Sequence, residues 1–120
     1  MNLTISDNFL SEDDYKKVVE YCMKANYVYG ETDTNETPPT GMTCEIDSEH
    51  EIYTLFADAI QNKYEKLSKD NIYRMYVNCF APSENPYFHT DGEHGITALY
   101  YPTMDWNIQE GGETQFLTDE

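Results

Sequence analysis

The sequence predicts an α+β fold in which two helices precede a group of strands. Apolar residues recur twice at helical spacing before residue 70, and after Asp70 the spacing changes to the alternation of a strand. Helices followed by strands are typical of the α+β class. The 120 residues are enough for one modest core. We therefore expect a single domain spanning residues 1–120, with a helical part in residues 1–70 and a strand part in residues 71–120.

Capping residues mark the start of each predicted helix. Ser11 precedes three acidic residues in the first turn, where the helix dipole favours negative charge. Ser48 and Glu51 have the spacing of a capping box. The apolar faces that follow consist of Tyr15, Val18, Val19, Cys22 and Met23 in the first helix, and of Ile52, Leu55, Phe56, Ala59, Ile60 and Tyr64 in the second. Residues 30–41 are acidic and contain two prolines, so they are predicted to form a loop.

A strand is predicted from Ile72 to Phe80. Alternate side chains of a strand point to opposite faces, so Tyr73, Met75, Val77 and Cys79 share one face, which we expect to pack on the helices. The other face carries more polar residues, among them Arg74, Tyr76 and Asn78, and is suited to line a pocket. Further extended segments are predicted at residues 87–91, 96–101 and 111–117, separated by turns rich in glycine and proline.

The composition narrows the class of protein. A formal net charge of −16 argues against binding to nucleic acid, which needs lysine and arginine to neutralise phosphates. The same charge is compatible with a basic protein partner or with mimicry of DNA by carboxylates, and in most acidic proteins it serves solubility. There is no apolar run of about 20 residues, so no membrane span is predicted. The three cysteines lie far apart and indicate neither a disulfide framework nor a zinc site, which favours the cytoplasm.

The residues with the clearest chemical meaning are His89 and Asp91. Residues two apart in an extended segment point to the same side, so an imidazole nitrogen and a carboxylate oxygen would lie next to each other. Such a pair supplies two of the three ligands of the facial triad that holds non-haem Fe(II). A tripeptide motif is common by chance, and a histidine and an aspartate at a surface turn is the ordinary alternative.

Four blocks of sequence surround this pair in a suggestive order. They are Arg74–Phe80, Tyr87–Asp91, Ala98–Pro102 and the run Glu110-Gly-Gly-Glu-Thr-Gln-Phe. Their order and separation resemble those of the prolyl-4-hydroxylase-like 2-oxoglutarate oxygenases, and several ordered blocks are more specific than one short motif. The resemblance covers residues 72–117 and, more loosely, the two preceding helices.

The resemblance implies a double-stranded β-helix, which is a jelly-roll barrel, present here in part. It implies Fe(II) held by His89 and Asp91, and 2-oxoglutarate bound through a tyrosine hydroxyl, for which Tyr101 is the first candidate and Tyr76 the second. Ordinary aromatic packing is the alternative for both tyrosines. The implied reaction is dioxygenase hydroxylation of a peptide or protein substrate, with a prolyl side chain as the leading candidate.

The chain departs from the family pattern after its last block. The family has a distal histidine ligand and, beyond it, an arginine or lysine that pairs with 2-oxoglutarate, and neither occurs here. His94 follows His89 too closely to replace the distal ligand, and His50 belongs to the second helix. We therefore expect a C-terminally incomplete site with weak turnover or none.

Two other functions fit the same residues. A non-catalytic acidic protein that binds or inhibits a basic partner would explain the charge, and a cupin-like protein would use a similar barrel to bind a small molecule without oxygenation. Because a partial barrel leaves strand edges unpaired, we also expect the chain to pair with a second copy as a possible homodimer, to exchange elements between copies, or to be partly disordered after Gly111.

Overall fold

The computed structural model describes residues 2–92, 95–103 and 107–118, and it contains two helices and one sheet in that part of the chain. The three strands form an open antiparallel sheet in the order β1-β2-β3. The α+β class is therefore confirmed, with a sheet that is open and not closed into a barrel. In chain order the elements are α1 (Glu12–Lys24), β1 (Val28–Tyr29), β2 (Met42–Glu45), α2 (Glu51–Lys63) and β3 (Tyr76–Cys79).

Helix α1 begins as its sequence predicts. The Ser11 hydroxyl accepts a hydrogen bond from the Asp14 backbone N–H at 3.2 Å, which satisfies one of the free donors at the helix start. Val18, in the middle of the apolar face, is 2% exposed. Met23 is 81% exposed, whereas Cys22 packs on the core, so the predicted face continues into the last turn without Met23.

Helix α2 is capped by a different residue from the one predicted. His50 and not Ser48 is the N-cap, and its Nδ1 accepts the Ile52 backbone N–H at 3.1 Å. The capping-box prediction is wrong because Asp47 forms a turn first. Its carboxylate accepts the N–H of Glu49, and its carbonyl accepts the N–H of His50. This turn places the imidazole of His50, whose side chain is exposed, over the helix start.

The core lies between the two helices and one face of the sheet, and it is small. In the described part of the chain four apolar residues are buried, namely Val18, Ile46, Ile52 and Ala57. Around Val18, Ile46 and Ile52 lie partly buried residues from both helices, from β3 and from the segments between elements: Leu10, Tyr21, Cys22, Tyr53, Leu55, Phe56, Met75, Val77 and Tyr100. The aromatic members pack at the margin of the core, as with the rings of Tyr100 and Phe56, whose centroids are 5.2 Å apart.

Strand β3 is shorter than the predicted strand. The alternation holds from Met75 to Phe80, and Met75 and Val77 pack on the core as expected. Tyr73, predicted on the same face, is instead 98% exposed. A 3₁₀ turn at Lys69–Asn71 precedes this segment, and the chain joins the sheet only at Tyr76, so Tyr73 lies before the point where packing imposes the alternation.

Strands β1 and β2 were not predicted, and both come from the part of the chain assigned to helices. β2 is central and pairs Thr43 with Val28 on one side and with Asn78 on the other. The acidic loop of residues 30–41 connects the two strands, and an isolated bridge between Thr32 and Pro39 closes it. The predicted loop is therefore confirmed as the connection of a β-hairpin.

The three later segments predicted as extended pieces or strands do not enter the sheet. Residues 87–91, 96–101 and 111–117 form no ladder with any strand among the described residues. A strand requires a hydrogen-bonded neighbour, and β3 pairs only with β2 in this part of the chain. Both outer strands, β1 and β3, therefore have an edge without a ladder among the described residues, and pairing of such an edge with a second copy stays a prediction.

Both helices are 13 residues long, and no helix in the described ranges has the length and hydropathy of a membrane span.

The stability of the fold is expected to fall at alkaline pH because of Tyr21 and Tyr27. Burial, together with neighbouring thiols, raises the pKa of each phenol to about 12. The Tyr21 hydroxyl lies 3.5 Å from the Cys44 thiol, and the Tyr27 hydroxyl donates to the Cys22 carbonyl at 2.7 Å. The pKa of tyrosine in an unfolded chain is about 10. The unfolded chain therefore loses these protons first, and the stabilisation present below about pH 10 is lost towards pH 12.

Urea unfolding measured at a series of pH values tests this expectation. The Tyr27→Phe variant keeps the ring and removes the ionisable group, so its unfolding midpoint should fall less steeply with pH than that of the wild type. Equal slopes for the two proteins would contradict the assignment to Tyr27.

Candidate functional site

The segment that contains His89 and Asp91, the H-x-D pair, follows the turn after β3. The structure brings the two side chains together, with Nε2 of His89 3.3 Å from Oδ1 of Asp91. On the other edge of the ring, Nδ1 lies 2.8 Å from the carbonyl oxygen of Tyr87. A carbonyl oxygen can only accept, so Nδ1 carries the hydrogen in this bond, and the lone pair of the neutral imidazole is on Nε2, beside the carboxylate.

A second acidic residue, Asp33, approaches the same imidazole from the loop after β1. Its Oδ1 lies 3.7 Å from Nδ1 of His89. Its Oδ2 accepts the Tyr87 backbone N–H at 2.7 Å and the Thr40 hydroxyl at 3.0 Å. The sequence contained no signal for this residue, which is one of several acids in the predicted loop and lies 54 positions before Tyr87.

The surroundings of His89 stabilise its protonated form. The hydrogen bond to the Tyr87 carbonyl raises the pKa of His89 above its ordinary value, and the charges of Asp33 and Asp91 act in the same direction. Partial burial opposes these effects. The negative charges of the two carboxylates stabilise a positive imidazole. The same charges would favour a metal cation.

Tyr76 and Arg74 lie on the sheet face turned away from the helices. The guanidinium of Arg74 is 4.1 Å from the centre of the Tyr76 ring, and it also binds the carboxylates of Glu45 and Glu31. Burial raises the pKa of Tyr76, and the charge of Asp91 adds to that rise while Arg74 opposes it. Tyr76 is therefore within electrostatic range of the H-x-D pair, whereas the donors of Arg74 are already used by two carboxylates.

Tyr101, the first candidate for the co-substrate, is not brought to this site. It is 58% exposed, and in the described part of the chain it makes no hydrogen bond or ring contact with His89 or Asp91. Its neighbour Tyr100 turns inwards and packs on Phe9 and Phe56. His94 lies outside the described residues.

Carboxylates outnumber cationic groups around the pair. Asp33 and Asp91 lie beside the imidazole of His89, and Glu31 and Glu45 bind the nearby guanidinium of Arg74, which also contacts the Tyr76 ring. Such a field attracts a cation and opposes a dicarboxylate such as 2-oxoglutarate. Within the described ranges, no group of three histidine, cysteine, aspartate or glutamate side chains is arranged to hold a metal ion.

A cleft lies elsewhere in the described part of the molecule. It has a volume of about 460 Å³ and lies between the end of α1 and the start of α2, where Tyr21, Lys24, Cys44 and His50 contribute to its lining. None of the predicted site residues borders it. His89 and Asp91 are both exposed, so the candidate pair lies at the open surface of the molecule.

No known protein family, curated protein or solved structure matches the chain.

Proposed function

We propose that His89 and Asp91 are paired metal ligands in an Fe(II)- and 2-oxoglutarate-dependent oxygenase of the prolyl-4-hydroxylase-like kind. In this proposal the sheet and the segments after it form part of a jelly-roll barrel, and the substrate is a peptide with a prolyl side chain. The observation that carries the proposal is the 3.3 Å separation of Nε2 of His89 and Oδ1 of Asp91.

That separation suits two neighbouring ligands of one ion. With metal–ligand bonds of about 2.1 Å, adjacent ligand atoms of an octahedral ion lie about 3 Å apart. The hydrogen bond from Nδ1 to the Tyr87 carbonyl supports the same interpretation, because a ligating histidine usually donates its other ring N–H to a carbonyl or carboxylate. Two protein ligands leave most of the coordination sphere to water, so binding is expected to be weak.

The residues fit the metal better than they fit 2-oxoglutarate. When bound, iron would supply the redox chemistry with which dioxygen and a 2-oxo acid oxidise a C–H bond. This chain would contribute the imidazole and the carboxylate that hold the ion and the Tyr76 hydroxyl nearby. Arg74 is occupied by Glu31 and Glu45, and Tyr101 does not contact the pair, so neither residue is placed to receive the co-substrate.

Anaerobic titration with Fe(II), or with Mn(II) followed by electron paramagnetic resonance, tests the proposal. We expect weak binding of one ion per chain, and no specific binding in His89→Ala because the only neutral nitrogen ligand is lost. His50→Ala is the matched control, since that imidazole caps α2 and does not contact the pair. Binding that survives His89→Ala would show that the ion is held at another site.

The net charge of −16 favours a second candidate function, binding of a basic protein without catalysis. Metal analysis of the purified protein separates the candidates. Bound iron supports the oxygenase, another metal supports a cupin-like binder, and no metal together with salt-sensitive binding to a basic protein supports the acidic binding protein.

A further inference from the structure

Asp33 has contacts that an acid in an exposed loop does not need. Its side chain is 15% exposed, although the loop of residues 30–41 lies at the surface. One carboxylate oxygen accepts from both the Tyr87 N–H and the Thr40 hydroxyl. The first of these bonds connects the hairpin loop to the segment that carries His89, and charge-assisted bonds of this kind are stronger than neutral ones.

The same carboxylate acts on His89 in two ways. Oδ2 holds the amide N–H of Tyr87, and the carbonyl of that same residue accepts the hydrogen on Nδ1 of His89. Oδ1 faces Nδ1 at 3.7 Å, too far for a hydrogen bond but close enough for attraction to the N–H dipole. Both effects keep the Nδ1 edge of the ring next to Asp33 and Tyr87. In this orientation Nε2 points towards Asp91.

Asp33 is not positioned to be a third ligand of the same ion. It approaches Nδ1, whereas Asp91 lies beside Nε2, and the lone pairs of the two ring nitrogens diverge. An ion bound to Nε2 would have the imidazole ring between itself and Asp33.

We infer that Asp33 is a positioning residue of the metal site, which holds the Tyr87 backbone and the Nδ1 edge of His89 so that Nε2 faces Asp91. The inference rests on the proposed metal-binding function. Groups that orient a ligating histidine typically change metal affinity by about 10–100-fold when they are removed.

Mn(II) affinity of Asp33 variants, measured by electron paramagnetic resonance, is the test. Asp33→Ala is expected to weaken Mn(II) binding by about 10–100-fold. Asp33→Asn keeps the size and one acceptor oxygen but removes the charge, so its loss should be smaller. Asp58→Ala removes an equal charge from an acid that pairs with Lys69, and it should bind Mn(II) like the wild type.

A second measurement separates positioning from a general effect on folding. Nitrogen-15 spectra of the His89 ring report which nitrogen carries the hydrogen. The wild type should show the Nδ1–H form, and both Asp33 variants should show an increased share of the Nε2–H form. A purely structural role for Asp33 would change the urea midpoint without changing this share in variants that remain folded.

The possible outcomes are decisive even if Asp33→Ala does not fold, because Asp33→Asn is close in shape to the native residue. Unchanged Mn(II) affinity and an unchanged tautomer in Asp33→Asn would overturn the inference while leaving the metal site intact. If His89→Ala binds Mn(II) as well as the wild type, the proposed site itself is wrong, whatever the Asp33 variants show.

Discussion

Replacing Ile52 with alanine is expected to remove most of the stability of this chain. Ile52 is 2% exposed and lies in the first turn of α2, where it packs with Val18 and Ile46. Truncation of a buried isoleucine to alanine typically costs roughly 2–5 kcal/mol, from lost burial and from the cavity that remains. A folded domain is stable by only about 5–15 kcal/mol in total. With four buried apolar residues in the described part of the chain, this protein is expected near the lower end.

Urea unfolding followed by circular dichroism measures this effect, and the chain contains a matched control. Ile5 is 80% exposed, so Ile5→Ala removes the same atoms without making a cavity and should change stability by less than about 0.5 kcal/mol. Alanine is also the better helix former, which would favour Ile52→Ala if packing did not matter. Similar midpoints for the two variants would contradict the core described above.

The helices could be predicted because their patterns are long. Each has 13 residues, so the apolar face repeats several times before the helix ends. The cap of α1 depends on residues three apart, and this local contact was predicted correctly at Ser11. The cap of α2 was predicted at Ser48 and formed at His50 because a second local turn, made by Asp47, competed with it.

The sheet was harder to predict, for a physical reason. β1 has two residues and β2 has four, which is too short for an alternating pattern to be distinguished from chance. Both strands are defined by pairing with a partner distant in sequence, as in the pair of Cys44 with Val77. The segments predicted at residues 96–101 and 111–117 have strand-like composition but lack such a partner in the described part of the chain.

In the candidate site, too, the local contact could be predicted from the sequence and the contact between distant residues could not. The proximity of His89 and Asp91 follows from their spacing, since residues two apart in an extended segment share a side. Asp33 could not be predicted, because its contact with Tyr87 depends on how the hairpin loop folds back. Of the tyrosines, the first candidate, Tyr101, is exposed, and its neighbour Tyr100 packs on the core instead.

The negative charge of the chain and of the candidate site affects the order in which a metal ion and 2-oxoglutarate would bind. Two carboxylates, Asp33 and Asp91, lie beside the imidazole of His89, and two others, Glu31 and Glu45, bind the guanidinium of Arg74. A metal ion would reduce repulsion among these groups, whereas a dianionic co-substrate would increase it until a metal is bound. We therefore expect metal to bind before 2-oxoglutarate in any reaction at this site.

Gly41→Ala is expected to be the most destabilising substitution outside the hydrophobic core. Gly41 is buried at the start of β2 with a φ of +66°, a conformation that costs an L-residue roughly 1–2 kcal/mol. A Cβ at this position would lie 2.6 Å from ring atoms of Phe80 and 3.1 Å from the carbonyl of Cys79. Phe80 is 44% exposed and its ring can move, but the carbonyl belongs to β3 and is held by the sheet.

Overpacking of this kind adds roughly 1–3 kcal/mol to the backbone strain, so Gly41→Ala should cost about 2–5 kcal/mol. Gly111→Ala is the control, because Gly111 has a φ of +75° and no atom of the described residues would lie within 4 Å of its added Cβ. It should show the strain alone. Adding Phe80→Ala to Gly41→Ala removes the ring, so the double variant should recover part of the loss relative to the sum of the single changes. Strict additivity in this cycle, measured by urea unfolding, would mean that Phe80 does not limit the space beside Gly41.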